Sequence, residues 1–244
     1  KQLEEALKQS EASLKELNAA KDKFFSIIAH DLRGPFNTII GFCNLVHEKL
    51  REGNYTDVQE FIGIIHTSTK QVLDLLVNLL EWSRTQTEQI KFSPETLDLA
   101  ELVNQICDLY MINTRQKSIT IHKKLGQNPM VVADKAMIST VLRNLISNAV
   151  KFTNTNGRIE ISVHSNDHQH IVSIADDGIG IQKERIDKLF KIEESYSTAG
   201  TENENGTGLG LILCHEFVRK HQGNLWVESE LNQGSTFYFS IPKL

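Results

Sequence analysis

The chain has 244 residues, 40% hydrophobic and 23% charged, which suits two modest globular domains, and its net charge of -5 excludes the basic footprint of a nucleic-acid binder. Three scattered cysteines (Cys43, Cys107, Cys214) form neither a disulfide framework nor a zinc spacing, which points to a reducing, cytoplasmic compartment. No apolar run approaches the roughly 20 residues that cross a bilayer, so this segment is expected to make no direct membrane contact. The chain opens on Lys1, and a longer parent, with or without a membrane anchor, is expected.

The first 88 or so residues read as helix. Leu3, Leu7, Ser10, Leu14, Leu17, Lys21, Phe24 and Ile28 follow alternating steps of four and three, a heptad seam with Ser10 and Lys21 as weak positions. A second series runs Phe61, Ile65, Ser68, Val72, Leu75, Leu79 and Trp82, flanked by Ile62, Leu76 and Leu80. The segment Arg51–Thr56, polar and carrying Gly53, suits a reversal between the two. A single helical hairpin cannot cover both apolar faces, whereas pairing with a second copy would bury them in a four-helix bundle. The expected divisions are a signalling coiled-coil helix over 1–18, a dimerisation domain over 19–90 and a second domain over 91–244.

Past Phe92-Ser93-Pro94 the period changes. Helices are expected at Leu99–Met111, Asp134–Phe152, Gln182–Phe190 and Leu209–Gln222. Strands are expected at Ser118–His122, Met130–Ala133, Arg158–His164, Ile171–Asp176, Asn224–Ser229 and Ser235–Ile241. Together they predict a mixed sheet covered by helices on one face, an α+β two-layer sandwich. The polar, aperiodic stretch from Glu193 to Gly206 has the length of a functional lid.

Three features carry chemistry. On the helix ending before Thr153, Asn144, Asn148 and Lys151 share one face at spacings of four and three. Amide oxygens and an ammonium so placed suit Mg²⁺ and the phosphates it bridges, and a merely polar outer face is an equal reading of that helix alone. Asp176-Asp177-Gly178-Ile179-Gly180 follows a strand, and Gly206-Thr207-Gly208-Leu209-Gly210 opens a helix. Glycines there let backbone N–H groups approach an anion. His30 falls two positions after the seam residue Ile28, on the outer side of the first helix, where a neutral imidazole could act as a nucleophile. His164, His168 and His170 flank an apparent turn and read as an exposed hairpin tip rather than a metal site. His47, His66, His122, His215 and His221 have no partner readable from spacing.

The series Asn144-x-x-x-Asn148, Asp176-x-Gly178-x-Gly180, Phe190 and Gly206–Gly210 resembles the N, G1, F and G2 boxes of the ATPase fold shared by histidine kinases, gyrase, heat-shock protein ninety and MutL. Phe24–Pro35, with His30-Asp31 at its centre, resembles the H box of the histidine kinases. The resemblance implies a homodimeric sensor histidine kinase core that uses ATP and Mg²⁺. It implies His30 as phosphoacceptor, Asp31 as the partner of its Nδ1, and Asn148 as the main metal ligand. Asn144, Lys151 and Phe152 would line the ATP site. Asp176 would hold the adenine amino group, Gly178 and Gly180 would shape its pocket, and Gly206, Thr207, Gly208, Leu209 and Gly210 would surround the triphosphate beneath a lid. The implied partners are the receiver domain of a response regulator and an upstream sensor domain. Gly34 departs from the pattern, because the family often carries Thr or Asn there for dephosphorylation of the partner. The weaker alternatives are a gyrase-type ATPase and a silent nucleotide-sensing scaffold.

Overall fold

The computed structural model describes residues 26, 28–29, 31–86, 92–126, 129–190, 200–201 and 210–243. The chain divides into two compact units, Lys1–Ser83 and Arg84–Leu244.

In the first unit a helix runs over 31–51 (α1), with 26, 28 and 29 also helical, and a second spans Val58–Gln86 (α2). The reversal between them falls in the expected polar segment, where the Asn54 side chain accepts the Thr56 N–H at 3.0 Å. The Phe42 and Phe61 rings meet across the hairpin with centroids 5.4 Å apart. The heptad series of α2 turns inward, with Ser68, Val72 and Leu75 buried, while Ile62, Leu73, Leu76 and Leu80 remain exposed on another face. Ile28 is 4% exposed, so the first seam points inward at its last expected position. Its earlier positions, from Leu3 to Phe24, lie outside the described residues, as do Ser10 and Lys21.

Gly34 lies inside α1, and a Cβ built on it meets no heavy atom within 4 Å. Glycine in a helix interior costs roughly 0.5–1 kcal/mol relative to alanine. Pro35 opposes part of that gain, because its ring crowds the Cβ of a preceding helical residue, so Gly34→Ala is expected to raise the denaturation midpoint by less than this amount. An unchanged or lower midpoint would mean that the position is under a constraint the open space does not reveal.

In the second unit the elements are β1 (Glu95–Asp98), α3 (Leu99–Leu109), α4 (Met111–Gln116), β2 (Thr120–Leu125), β3 (Met130–Ala133) and α5 (Lys135–Phe152). They continue with β4 (Arg158–Ser165), β5 (Gln169–Asp176), α6 (Lys183–Ile186), α7 (Gly210–Lys220), β6 (Leu225–Glu230) and β7 (Gly234–Pro242). Five strands form a sheet in the order β2-β4-β5-β7-β6, parallel between β2 and β4 and antiparallel elsewhere. β1 and β3 pair antiparallel as a small second sheet.

Alternate residues of the large sheet (Ile159, Ile161, Val163, Val172, Ile174, Phe237, Phe239) are buried, the period-two signature of a sheet with one covered face. The cover is helical: α5 contributes Ile138, Val141, Leu142, Leu145 and Ile146, all fully buried, and α7 contributes Leu213, Phe217 and Val218. On the other face Trp226 stacks on Tyr238 at 5.1 Å, and Ser162 bonds Ser173 at 2.6 Å. This is the expected two-layer sandwich.

Local chemistry sets the helix starts. Asp134 accepts the Ala136 and Met137 N–H groups at the head of α5, and Asp98 accepts those of Ala100 and Glu101 at the head of α3. Three expectations need correction. The helix expected over Leu99–Met111 breaks at Tyr110, which adopts φ -98 and ψ 3, and resumes as α4. The helix expected over Gln182–Phe190 is a single turn, Lys183–Ile186, followed by further turns. His170 is not at an exposed tip: it is buried, with Nδ1 2.7 Å from Ser165 Oγ. Desolvation lowers its pKa and so favours the neutral ring. Among the described residues no group of three His, Cys, Asp or Glu could hold a metal ion.

Candidate functional site

Helix α5 presents Asn144, Asn148 and Lys151 as half-buried residues on a face beside its apolar stripe. Asn144 Nδ2 donates to the Thr140 carbonyl at 3.0 Å, which turns its Oδ1 toward Gly210, the first residue of α7. A Cβ on Gly210 would overlap that oxygen. The asparagine face and the end of the second glycine cluster are thus in contact. Lys151 Nζ lies over the Phe152 ring at 4.6 Å from its centroid.

The first glycine cluster is strapped to the end of α5. Ile179 N–H donates to the Phe152 carbonyl at 3.2 Å, and a Cβ on Gly178 would overlap that same carbonyl oxygen. Gly180 has φ +65, a left-handed conformation that side chains resist, and a Cβ there would overlap the Glu230 carbonyl. Both glycines are therefore dictated by backbone approach. They hold the end of β5 between α5 and the β6–β7 turn.

Asp176 sits at that end of β5. Its carboxylate receives the Gly178 N–H at 3.0 Å and a backbone N–H from Ser235. Burial dominates these bonds and pushes its pKa from 3.8 to about 6. A buried acceptor with spare lone pairs at the edge of a pocket suits an amino group of a ligand. A depression of about 350 Å³ opens on the far side of Asp176. Glu228 and Glu230 line it, and their charge would repel a polyanion there.

Phe190 stacks on His215 of α7 with centroids 5.8 Å apart, which gives that histidine a partner and fixes where the chain leaves the α6 turn. His221, 5% exposed, is also placed. Its Nε2 accepts the Asp134 N–H at 2.9 Å and its Nδ1 faces the Phe217 carbonyl at 2.7 Å.

The structure thus gathers Asn144, Asn148, Lys151, Phe152, Asp176, Gly178, Gly180 and Gly210 at one end of the sheet. His30, Gly206, Thr207, Gly208 and Leu209 lie outside the described residues, and so does most of the expected lid. Asp31 is in α1, in the other unit. Sequence reasoning missed Ser235, whose N–H bonds the Asp176 carboxylate, and Lys117 and Thr201, which bond backbone carbonyls at the end of α5; a single serine, lysine or threonine with no periodic companion gives no signal.

Residues 20–88 match the family described as the His Kinase A (phospho-acceptor) domain, and residues 133–244 match that described as Histidine kinase-, DNA gyrase B-, and HSP90-like ATPase. The chain is 31% identical over 241 residues to Phytochrome-like protein Cph1 of Synechocystis sp., covering 98% of this chain and 31% of that protein. It is 34% identical over 223 residues to Adaptive-response sensory kinase SasA of Rippkaea orientalis, covering 89% of this chain and 56% of that one. The curated relatives are all longer, the chain spanning between 30% and 63% of their length. Among solved structures, the catalytic domain of histidine kinase ThkA is 31% identical with a TM-score of 0.54, covering 63% of this chain and 97% of that one. ThkA in complex with response regulator protein TrrA matches the fold of 97% of this chain and 66% of that one, with a TM-score of 0.77 at 24% identity.

Proposed function

The chain belongs to the histidine kinase family, and on that premise we propose that it is the ATP-dependent catalytic core of a two-component sensor kinase. The observation that carries the nucleotide half is the contact of the Asn144 side chain with Gly210, at the sheet end that also holds buried Asp176. It joins an oxygen-rich helix face, a helix start and a polar anchor in one cradle of the kind that takes a nucleoside triphosphate.

In this reading Asp176 accepts the adenine amino hydrogens, Gly178 and Gly180 shape the adenine pocket by holding its turn against Phe152 and Glu230, and Lys151 and the N–H groups of 206–210 meet the phosphates. The donor set fits Mg²⁺: amide oxygens from one helix face, with substrate phosphates and water completing the shell. Asn148 would hold the ion, whose charge eases transfer of the γ-phosphoryl group. His30 supplies Nε2, which bonds the γ-phosphorus as the bond to the β–γ bridging oxygen breaks and ADP departs. Asp31 holds the Nδ1 proton and so keeps Nε2 the free nitrogen. The phosphoryl group then passes to an aspartate on the receiver domain of a response regulator.

The exposed face of α2 (Ile62, Leu73, Leu76, Leu80) supports a homodimer closed as a four-helix bundle. An upstream sensor would act through residues 1–18, and the ATP-binding domain would turn on a hinge near Lys91–Pro94. Among the described residues no helix is long and apolar enough to cross a membrane.

Equilibrium binding of a fluorescent ATP analogue, with and without Mg²⁺, tests the cradle. Asn148→Ala is expected to abolish the gain in affinity that Mg²⁺ gives the wild type, a loss on the order of tenfold to a hundredfold for a metal-ligating side chain. Equal Mg²⁺ dependence in both would remove Asn148 from its role. With γ-labelled ATP, release of phosphate without any labelled chain would favour a plain ATPase instead.

A further inference from the structure

Lys117 lies between α4 and β2, far from every motif, yet it is 4% exposed. A buried ammonium is costly unless its N–H groups are bonded. Here Nζ lies 3.2 Å from the Val150 carbonyl, 3.1 Å from the Lys151 carbonyl and 2.8 Å from Thr201 Oγ1. The first two acceptors are carbonyls at the C-terminus of α5, which the helix's own ladder leaves open and where its dipole is negative. That much is helix capping. The third bond reaches Thr201, in the polar stretch expected to cover the phosphates.

Thr201 is held from its own side as well. Its N–H donates to the Lys151 carbonyl at 3.1 Å, and its hydroxyl lies 3.1 Å from that carbonyl and 3.0 Å from the Thr153 carbonyl. One residue further along α5, the Phe152 carbonyl takes the Ile179 N–H of the first glycine turn. Three parts of the cradle therefore converge on the last turn of α5: the Asn144–Lys151 face, the turn at Gly178–Gly180, and Thr201.

We propose that Lys117 is a positioning residue for the nucleotide site, pinning Thr201 to the end of α5 beside Lys151 before nucleotide arrives. The inference rests on the nucleotide reading above and adds a group that touches no ligand. Fixing Thr201 in advance removes part of the ordering cost of binding, and affinity gained this way is lost when the anchor is cut.

Thr201 is only half-buried, so Thr201→Val removes the hydroxyl with little threat to folding, while Thr201→Ser retains it. Loss of a hydrogen bond to a charged group is expected to raise the dissociation constant of a fluorescent ADP analogue by about tenfold in Thr201→Val. Thr201→Ser should stay within about twofold of wild type. Lys117→Met should weaken binding at least as much, and the double variant should lose less than the two single losses combined, because the Lys117–Thr201 bond is cut in both. Independently of any ligand, the amide of residue 201 should exchange its hydrogen faster in Thr201→Val than in Thr201→Ser. Wild-type binding combined with equal affinities and equal exchange in the Val and Ser variants would overturn the anchor and leave the nucleotide reading standing. No nucleotide binding by wild type would overturn both.

Discussion

Substitution of His30 by Gln is expected to abolish incorporation of the γ-phosphoryl group from ATP, with nucleotide affinity and helical content unchanged from wild type. Glutamine has similar reach and polarity but no ring nitrogen able to form the phosphoramidate bond, so the loss is chemical rather than structural. Residues that act together as one catalytic unit give near-complete losses when any member is removed, and labelling of His30→Gln should fall by at least about a thousandfold. The cradle proposed for ATP lies within Arg84–Leu244, the unit that does not contain His30. A fluorescent-nucleotide titration should therefore superimpose for the two proteins. Reduced affinity in the variant would show that the substitution disturbs more than the acceptor.

Asp176→Asn should move stability and binding in opposite directions. Burial raises the Asp176 pKa from 3.8 to about 6, so the folded chain holds this proton more tightly than the unfolded one. Protonation is then coupled to folding. The group's unfavourable contribution is absent below about pH 4, grows as pH rises toward 6, and is fully present above that. The shift corresponds to roughly 3 kcal/mol of cost at neutral pH.

Asparagine keeps an oxygen for the N–H groups of Gly178 and Ser235 and carries no charge, so the variant should be more stable than wild type at pH 7 to 8. The advantage should shrink as pH falls toward 4. Nucleotide affinity should instead fall, by roughly tenfold to a hundredfold, because a charged acceptor for the adenine amino group is lost. In the wild type the same logic predicts that affinity declines as pH drops below about 6. A variant destabilised at neutral pH, or one that binds as tightly as wild type, would contradict the role given to this carboxylate.

The parts of this account visible in the sequence are those that repeat. The stripe Ile138, Val141, Leu142, Leu145 on α5 announces a buried face, and the Asn144–Asn148–Lys151 face stands out because asparagine is a poor choice for a solvated helix surface. The strands β4, β5 and β7 alternate cleanly and lie within a residue or two of their expected limits. β1 escaped notice because its four residues alternate too briefly, and its pairing with β3 is settled by a contact thirty-odd residues away. The break at Tyr110 escaped because the apolar period continues through it, while the backbone there leaves the helical region.

Buried polar groups were the least legible. His221 and Lys117 each satisfy their hydrogen bonds on carbonyls or N–H groups distant in the chain, Asp134 in one case and the end of α5 in the other. Their identities carry no spacing that could be read in advance. The glycines were visible as clusters, but the reason for Gly178 and Gly180, an overlap with the carbonyl of Phe152 or Glu230, exists only in the folded chain.

A phosphoryl group carried on a histidine nitrogen is recognisable from the chemistry of its bond. Purified chain incubated with Mg²⁺ and γ-labelled ATP should acquire label that is lost in acid and persists in alkali, the behaviour of a phosphorus–nitrogen bond, and peptide mapping should place it on the segment containing His30. Label that survives acid would belong to a serine or threonine ester, and label lost in both acid and alkali would belong to an acyl phosphate. Either result would contradict the assignment of His30 as the phosphoacceptor.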